Sequence, residues 1–512
     1  MKRGSVFSRI KDKFHASARM GAALTAVFIA AVVVVNVVIY GLASRFGWYF
    51  ATGEVYEHTI GDATDGYLSE VADKGDVTIL FCDAQDALEA DSVFNLVWQT
   101  ALQFSEKYDF ISVENVNIYT NPERVEPYKY QREADGSYTI DPETGKRVKI
   151  NTISTQSVIF VSDTDYAALT MESFFVLDSD KLITAYNGEE VTAAMIHRVL
   201  SEDRPVAYFT TTHGETFSTA FNTRLLFAGY TAAEVDLWQS TPEVGAGTGN
   251  ILVISNPRYD FDRGDSSRGV IGEIDRIEAF LKAGGSVYVM LDPLVTGTVE
   301  LEALLSEWGI SVMRAKTDSS ERDTVMIRDR TDSVTTDGYG LITSFGDSAA
   351  AQTISAEMDA AGAGRVIIRQ ASPLVLSDKA GKTVSSLLVS SDSSAAYAGG
   401  AAVDSAGRYT VAAMSKDDAS GGGIFAVGSV YFTSQSAITT NEYGNKDLVF
   451  LAFRHLSGAS VPVGCTYLLF SSGTLEDLTM REARLWTILF AGVLPLAAAV
   501  TGFVVIRRRR ER

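Results

Sequence analysis

The sequence predicts a membrane-anchored α/β protein. Three features support this: strand-like and helix-like segments alternate through the middle of the chain, a long uncharged apolar run lies near each end, and basic residues flank both runs. At 512 residues, with 46% hydrophobic and 21% charged side chains, the chain has enough length and apolar material for two to four folded domains. A disordered chain and a disulfide-stapled miniprotein are therefore excluded.

Charge is distributed very unevenly. The net charge is −20, yet residues 1–19 hold six Lys or Arg against Asp12 alone, and residues 507–512 hold five Arg against Glu511. The long segment between these ends is consequently strongly acidic. An acidic surface repels phosphate backbones, so nucleic acid is not an expected partner.

Two apolar runs are long enough to cross a membrane. Met20–Ser44 and Leu485–Ile506 carry no charged side chain, and as helices they would reach about 37 Å and about 33 Å, against a hydrocarbon core of about 30 Å. A cleaved signal peptide is the alternative for the first run, but its apolar core is about twice the usual length. A buried core helix is the alternative for the second, but the arginines directly behind it resemble a stop-transfer signal.

The positive-inside rule orients these spans. Both basic ends are predicted to be cytoplasmic, so the protein is expected in the cell membrane as a two-pass protein with a large extracytoplasmic domain. The predicted organisation in chain order is a cytoplasmic tail (1–19), a transmembrane helix (20–44), a stalk (45–75), a first α/β domain with a hairpin insertion (76–202), a second α/β domain (203–460), a juxtamembrane segment (461–484), a transmembrane helix (485–506) and a cytoplasmic tail (507–512).

The first domain is predicted to begin with a β-α-β unit. A buried strand at 76–82 precedes an amphipathic helix at 92–107 and a strand at 111–119. Turn signals at Asp135-Gly136 and Thr144-Gly145 indicate a hairpin-rich insertion, which is followed by a strand at 157–162, a strand pair near 174–185 and a helix at 191–201.

This element order predicts a thioredoxin-like module. The position of a redox Cys-x-x-Cys motif holds Cys82-Asp83-Ala84-Gln85 instead, and a single cysteine cannot carry out dithiol exchange. Cys82 is therefore expected to be a buried structural residue. Cys465 lies far away in sequence, so two independent buried thiols are favoured over a bridge, although pairing stays open.

The second domain is predicted to be a doubly wound parallel sheet. Strands at 206–211, 251–255 and 286–291 alternate with a helix after residue 216 and a helix at 269–283 that ends at Gly284-Gly285. Beyond residue 310 the pattern is weaker. Four strand-like segments are expected to extend the same sheet, and a helix at 445–456 closes the domain; the four segments are 365–369, 384–389, 409–414 and 423–432.

The ends of the parallel strands are the candidate site. Ligands of open parallel sheets bind outside the carboxyl ends of the strands, and three strands here end in Thr212-His213-Gly214-Glu215, Asn256-Pro257 and Asp292-Pro293. The candidate ligand or partner rim is therefore His213, Glu215, Asn256 and Asp292. A hydrolytic or metal site is one interpretation; the favoured one is that these residues form tight turns, with Glu215 stabilised near a helix N-terminus.

Motifs for catalysis are missing from the sequence. It contains no Gly-x-Ser-x-Gly, no His-Glu-x-x-His and no phosphate-binding Gly-x-x-x-x-Gly-Lys-Ser/Thr. Asp260, Asp262 and Asp265 could gather calcium but lack a following Glu at loop spacing, which favours an acidic solvated loop. No catalytic residue, metal or cofactor is therefore expected.

The order of these features resembles the GldG-type auxiliary components of ABC transport systems, a family associated with gliding motility. The resemblance rests on the basic tail and anchor, the thioredoxin-like segment, strand-Thr-His-Gly-Glu, Gly-Gly-strand-Asp-Pro, the Tyr-Gly-Asn-Lys-Asp helix start at Asn445 and a final span followed by arginines. Thr212 stands where the family has the first Gly of Gly-His-Gly-Glu. The resemblance implies an ABC permease and an ATPase as partners, and a flavodoxin- or amidotransferase-like second domain without the cysteine nucleophile.

The leading hypothesis is thus a non-enzymatic extracytoplasmic auxiliary subunit of an ABC-type transport complex. The chain has no phosphate loop of its own, so a partner chain would supply ATP hydrolysis. The alternative is a membrane-anchored hydrolase or ligand receptor that uses the strand-end rim.

Overall fold

The computed structural model describes residues 60–470 except 92, 132–136, 178–179, 203, 246–248, 319 and 405–406. Both predicted spans, both tails and residues 45–59 of the predicted stalk lie outside the described residues. Among the helices that are described, none combines the length and the apolarity needed to cross a membrane.

The fold is a mixture of helices and strands, as the sequence predicts. The helices are α1 Asp62–Ser69, α2 Gln85–Ala90, α3 Asn95–Lys107, α4 Gly188–Leu200, α5 Thr219–Phe227, α6 Glu273–Lys282, α7 Val299–Glu307, α8 Ala349–Ala360, α9 Gln435–Ile438 and α10 Asn445–Ser457. The strands to residue 271 are β1 Val77–Phe81, β2 Ile111–Asn115, β3 Ser157–Val161, β4 Tyr166–Thr170, β5 Phe175–Leu177, β6 Ile183–Tyr186, β7 Val206–Thr210, β8 Thr231–Val235, β9 Ile251–Ser255, β10 Gly264–Asp265 and β11 Val270–Ile271. The remaining strands are β12 Ser286–Met290, β13 Ile310–Val312, β14 Arg314–Ala315, β15 Asp323–Thr324, β16 Met326–Arg328, β17 Gly340–Ile342, β18 Ser344–Phe345, β19 Ile367–Arg369, β20 Leu374–Leu376, β21 Lys382–Val389, β22 Ala395–Ala398, β23 Ala401–Ala402, β24 Thr410–Asp417, β25 Gly423–Val427 and β26 Leu468–Leu469.

The first part of the chain builds a four-stranded sheet in the order β2-β1-β3-β4. Strands β1 and β2 are parallel, as the predicted β-α-β unit requires, and β3 runs antiparallel to β1. Strand β4 was missed because its side chains are all at least partly exposed and show no clean alternation. The predicted insertion contains the isolated bridges Tyr130–Lys149 and Ile140–Arg147.

The second part builds a larger sheet with a parallel block in the order β25-β12-β9-β7-β8. Side chains alternate between its two faces. Leu252, Ile254 and Val287 pack in a cluster with α6 and α7, whereas residues such as Val253 and Tyr288 face a second cluster that includes α5 and α10. Both faces of the parallel block are therefore covered by helices.

Strands β24, β21 and β20 extend this sheet with antiparallel pairing. Three of the four late segments therefore join the sheet. The fourth, predicted at 365–369, does form a strand, β19, but the expectation that it extends the same sheet was wrong. Strand β19 pairs with β17 in a separate two-stranded sheet. The reason is that the Asn445 side chain bonds both the N–H and the carbonyl of Ile367, at 3.0 and 2.8 Å, and so occupies main-chain groups that a further strand would need.

The two sheets share one continuous apolar core. Helix α4 packs on α1 and α3 and on strands β1, β3 and β4 of the first sheet, and it also contacts α5 of the second part. Twelve of its 13 residues are buried. The described part of the predicted stalk contributes Tyr67, Leu68 and Val71 to this core instead of standing apart from it, and β26 pairs with β6.

Candidate functional site

The candidate rim begins in the turn after β7. Thr212 and Gly214 both have positive φ, at 81° and 71°, and this bends the chain sharply between β7 and α5. A side chain at Gly214 would meet Arg258 at 3.1 Å, so glycine is needed for the close approach as well as for the backbone conformation. The turn places His213 and Glu215 in contact.

His213 is held between two carboxylates. Its Nδ1 lies 3.2 Å from Glu215 Oε1 and its Nε2 lies 3.1 Å from Glu273 Oε2. The ring stacks on Phe261 with centroids 3.9 Å apart. The side chains of His213, Glu215 and Glu273 are only 5%, 3% and 1% exposed. Both ring nitrogens are thus engaged inside the protein.

Electrostatics favours the charged form of this histidine. Burial by itself would lower the pKa of His213, but the hydrogen bond with Glu215 and the charge of Glu273 outweigh it, so the pKa is raised. Burial would likewise raise the pKa of Glu215, but the bond with His213 dominates and the pKa is lowered. His213, Glu215 and Glu273 thus form a buried triad in which a charged imidazole is favoured over a neutral one.

Asn256 supports the neighbouring turn. It has a φ of 54°, its main-chain N–H donates to the Met290 carbonyl at 2.8 Å, and its Nδ2 donates to Thr216 Oγ1 at 2.6 Å. Asparagine tolerates this left-handed conformation better than most residues. Its role here is to join the ends of β9 and β12 to the segment after Glu215.

Asp292 belongs to a different ion pair. Its Oδ2 lies 3.1 Å from Arg258 Nη1, and its Oδ1 accepts the Leu294 N–H at 3.0 Å. The main-chain N–H of Arg258 in turn donates to the His213 carbonyl at 2.7 Å. The four predicted residues therefore lie along one edge, but only His213 and Glu215 touch directly, and Arg258 connects them to Asp292.

Three residues of the arrangement were not predicted: Glu273, Phe261 and Arg258. The helix predicted over 269–283 begins at Glu273, and Gly272 with Asp275 forms its N-terminal cap. A glycine followed by acidic residues is a helix-start signal that would have placed Glu273 at the same edge. Nothing in the local sequence connects it with His213, 60 residues earlier.

The acidic loop also proves to be structural. Asp260 accepts the Glu300 and Leu301 N–H groups at the start of α7, Asp262 accepts the Gly264 N–H, and Asp265 accepts the Ser267 N–H. The Asp262 and Asp265 bonds lie within their own turns, whereas Asp260 ties the loop to the first turn of α7. Across the described residues, no group of three or more His, Cys, Asp or Glu side chains is arranged to hold a metal ion.

The two cysteines are free and buried. Burial raises the pKa of Cys82 to about 12, so its thiol stays protonated at neutral pH. Cys465 lies 3.6 Å from the Thr64 hydroxyl and is not bonded to Cys82. The two thiols are therefore buried and independent of each other, as the favoured prediction expected.

Stability should depend on pH through the triad. The pKa of His213 is raised in the folded state, so its stabilising contribution is complete below the unfolded-state pKa near 6.5 and is lost as pH rises through the folded-state pKa. The pKa of Glu215 is lowered in the folded state, so its contribution is lost as pH falls below the unfolded-state pKa of 4.5. We therefore expect the melting temperature of the parent to exceed that of His213→Gln most clearly between about pH 4.5 and pH 6.5. Thermal melts at pH 5.5, 7 and 9 measure this difference, and a gap that stays constant across these values would contradict it.

Comparisons with known proteins add little beyond this geometry. No protein-family model and no curated protein matches the chain. Among solved structures it is similar to the mmIFT52 N-terminal domain, with 14% identity, coverage of 49% of this chain and 97% of that chain, and a TM-score of 0.31. A similarity this low carries no argument about function.

Proposed function

We propose that this protein is a non-enzymatic extracytoplasmic auxiliary subunit of an ABC-type transport complex. The proposal is supported by the two predicted spans with basic flanks, the large acidic α/β part between them and the resemblance to GldG-type proteins. In this arrangement both termini are cytoplasmic, a permease and an ATPase are the partner chains, and the ectodomain binds a partner or ligand outside the membrane.

We also propose that the described part of the chain comprises two domains of known fold type. We assign residues 76–202 to a thioredoxin-like module, in keeping with the strand order β2-β1-β3-β4 and the antiparallel β3. We assign 203–460 to a doubly wound, flavodoxin- or amidotransferase-like domain, in keeping with the helix-covered parallel block β25-β12-β9-β7-β8. The protonated Cys82 thiol argues against redox activity in the first module.

The environment of the His213 side chain supports the non-enzymatic part of the proposal. A general base needs a free lone pair within reach of the proton that it removes. Here both ring nitrogens face carboxylates, the ring is covered by Phe261, and the side chain is almost inaccessible to solvent. Such a histidine fixes the loops after β7 and β9 to the start of α6. The rim is better suited to present a rigid surface than to bind a substrate at His213.

Co-purification tests the assembly. An affinity-tagged chain, extracted in a mild detergent and analysed by mass spectrometry, should recover an ABC permease and an ATPase in constant ratio. A second, unrelated two-pass membrane protein with the same tag serves as the control. Recovery of the chain without either subunit, in a detergent that preserves other ABC complexes, would count against the proposal.

The Glu215→Gln variant distinguishes this proposal from a hydrolase or a receptor that acts through the rim. Glutamine keeps the shape and still accepts a hydrogen bond, so we expect a stability loss of about 1–3 kcal/mol and an unchanged transport phenotype at matched abundance. A hydrolase would lose about 10²–10⁴-fold in activity with its general base. The exposed Glu243→Gln, in the loop after β8, is the matched control. Loss of phenotype with abundance and partner recovery unchanged would reverse the assignment in favour of the enzyme.

A further inference from the structure

A small polar pocket lies at the edge of the parallel block opposite the strand-end rim. Pro205 and Gly229 line it and precede β7 and β8, and the end of α4 forms another wall. Its volume is about 120 Å³, which holds several water molecules but lies below the roughly 300–1,000 Å³ of pockets for drug-sized ligands. We call it the α4-end pocket. It matches a small ion or a single chemical group.

The α4-end pocket concentrates positive charge in an acidic chain. Lys74, Arg198 and Arg204 line it, against the single carboxylate of Glu70 among the described lining residues. The chain as a whole has a net charge of −20. A concave surface lined by charges of one sign raises the local concentration of ions of the other sign. The pocket therefore favours an anion.

The charge of Arg198 is not matched by a bonded carboxylate. Its Nη1 donates to the carbonyls of Gly229 and Tyr230, at 3.3 and 3.5 Å, and its Nη2 donates to Thr231 Oγ1 at 3.4 Å. These acceptors are neutral, and the bonds are longer than the roughly 2.7–3.2 Å of an ordinary N–H···O bond. Burial and, next, the charge of Arg204 lower the pKa of Arg198. The guanidinium is thus oriented by weak bonds, and its charge remains available to a ligand.

Arg204 removes the main electrostatic obstacle to an anion at this place. The C-terminal end of a helix carries partial negative charge, which repels anions. Arg204 Nη1 donates to the carbonyls of Arg198 and Ser201 at the end of α4, at 2.9 and 2.6 Å. Its Nη2 pairs with the Asp165 carboxylate. The carbonyls at the end of α4 and the charge of Asp165 are therefore compensated before any ligand binds.

The acidic side chain of the lining has partners of its own. Glu70 Oε2 accepts a hydrogen bond from the Ser460 hydroxyl at 2.5 Å and lies 3.6 Å from His197 Nε2. The contact with His197 is the main reason that the pKa of Glu70 is lowered. In the part of the chain that the structure describes, the exposed Lys74 by contrast has no hydrogen-bond or ion-pair partner for its ammonium group. Lys74 and Arg198 are therefore the two cations available to an anion.

We propose that the α4-end pocket binds a phosphate group between Lys74 and Arg198. Two cations without a bonded carboxylate suit a doubly charged ion, and the guanidinium fork of arginine matches the oxygens of a phosphate. The Ser201 hydroxyl, which also lines the pocket, supplies a further donor. Inorganic phosphate and a phospholipid head group that ends in a phosphate monoester share this chemistry. The site is additional to the transport assignment and does not depend on it.

Calorimetric titration of the detergent-purified full chain with inorganic phosphate tests the site. We expect saturable binding with a single-site isotherm, which sodium chloride at equal ionic strength does not reproduce. Lys74→Glu should weaken this binding about 10-fold or more, because an anion replaces a ligating cation. Lys146→Glu makes the same change of net charge at an exposed lysine outside the pocket and should leave the affinity unchanged. Lys74→Arg keeps the charge and should retain binding.

Competition with soluble phosphate esters distinguishes the two sources. Glycerol 3-phosphate and dihexanoyl phosphatidic acid share the phosphate monoester and differ in the acyl chains, and dihexanoyl phosphatidylcholine controls for partition into the detergent. Displacement of phosphate by the phosphatidic acid at about 10-fold lower concentration than by glycerol 3-phosphate supports a lipid head group, and equal displacement supports a free phosphate.

Two results would overturn the proposal. One is the absence of saturable phosphate binding to the parent chain. The other is an equal loss of affinity in Lys74→Glu and Lys146→Glu, which would reduce the effect to overall charge. Because no transport subunit is present in these titrations, such a failure is separate from a failure of the co-purification experiment.

Discussion

Glu190→Gln is expected to destabilise the protein by about 3–5 kcal/mol, the cost typical of breaking a buried ion pair from one side. Glu190 is fully buried on α4 and bonds Arg224 from α5, while Lys446 from α10 lies 3.8 Å away. Glutamine cannot neutralise these two cations, both of which are at most 3% exposed. Urea denaturation of the purified chain, followed by tryptophan fluorescence, measures the loss of unfolding free energy.

The adjacent Glu189→Gln is a matched control. Glu189 occupies the same first turn of α4 and gains the same benefit from the helix dipole. Its Oε1, however, accepts bonds from the neutral Gly61 N–H and Thr64 hydroxyl, at 2.7 and 2.6 Å. The loss should therefore be smaller, about 1–2 kcal/mol. Equal losses for the two variants would show that the buried cations are not what makes Glu190 important.

Phe453→Ala is expected to lower the free energy of unfolding by a similar amount, about 3–5 kcal/mol. The Phe453 ring on α10 is fully buried and packs against Tyr288 of β12, with centroids 4.9 Å apart, and against Tyr230 and Phe221 at 5.7 and 6.0 Å. Removing it opens a cavity between the large sheet and the helices on one of its faces. The same denaturation experiment gives the free energy of unfolding.

Phe453→Leu controls for the loss of volume. Leucine keeps most of the apolar contact, so the loss should be about 1–1.5 kcal/mol. The two variants together separate cavity formation from a general intolerance of change at this position. A cost below about 1.5 kcal/mol for Phe453→Ala would mean that the surrounding rings collapse into the space.

The sequence predicted the parallel elements well because they are strongly patterned. The segments that became β1, β7, β9 and β12 are short apolar runs bounded by turn residues, a pattern that parallel strands with two buried faces produce. Strand β8 was missed because it lies at the edge of the sheet, and four of its five residues are exposed or half-buried. Its sequence therefore shows too little hydrophobic periodicity to indicate a strand.

Long-range pairing limited the prediction of the site. His213 and Glu215 are two residues apart, and both were identified from one turn motif. Glu273 is one of the two carboxylates that contact the ring nitrogens of His213. Only folding of the sheet brings Glu273 close to His213. The same limit explains why the sequence analysis did not identify Glu190, Arg224 and Lys446. Charged residues are ordinarily exposed, and a single sequence does not reveal which of them pair in the core.

Helix α4 also has a consequence for biosynthesis. During translation Glu190 emerges with Asn187 already made, Arg224 follows 34 residues later, and Lys446 follows about 250 residues later. At about 5–20 residues per second the second cation arrives roughly 13–50 s after the carboxylate. In the folded protein, α5 and later elements cover one apolar side of α4. Throughout that interval this side is only partly covered. The nascent N-terminal half therefore exposes this apolar side until α10 has been made, and such transiently exposed surface is what makes folding intermediates prone to aggregate.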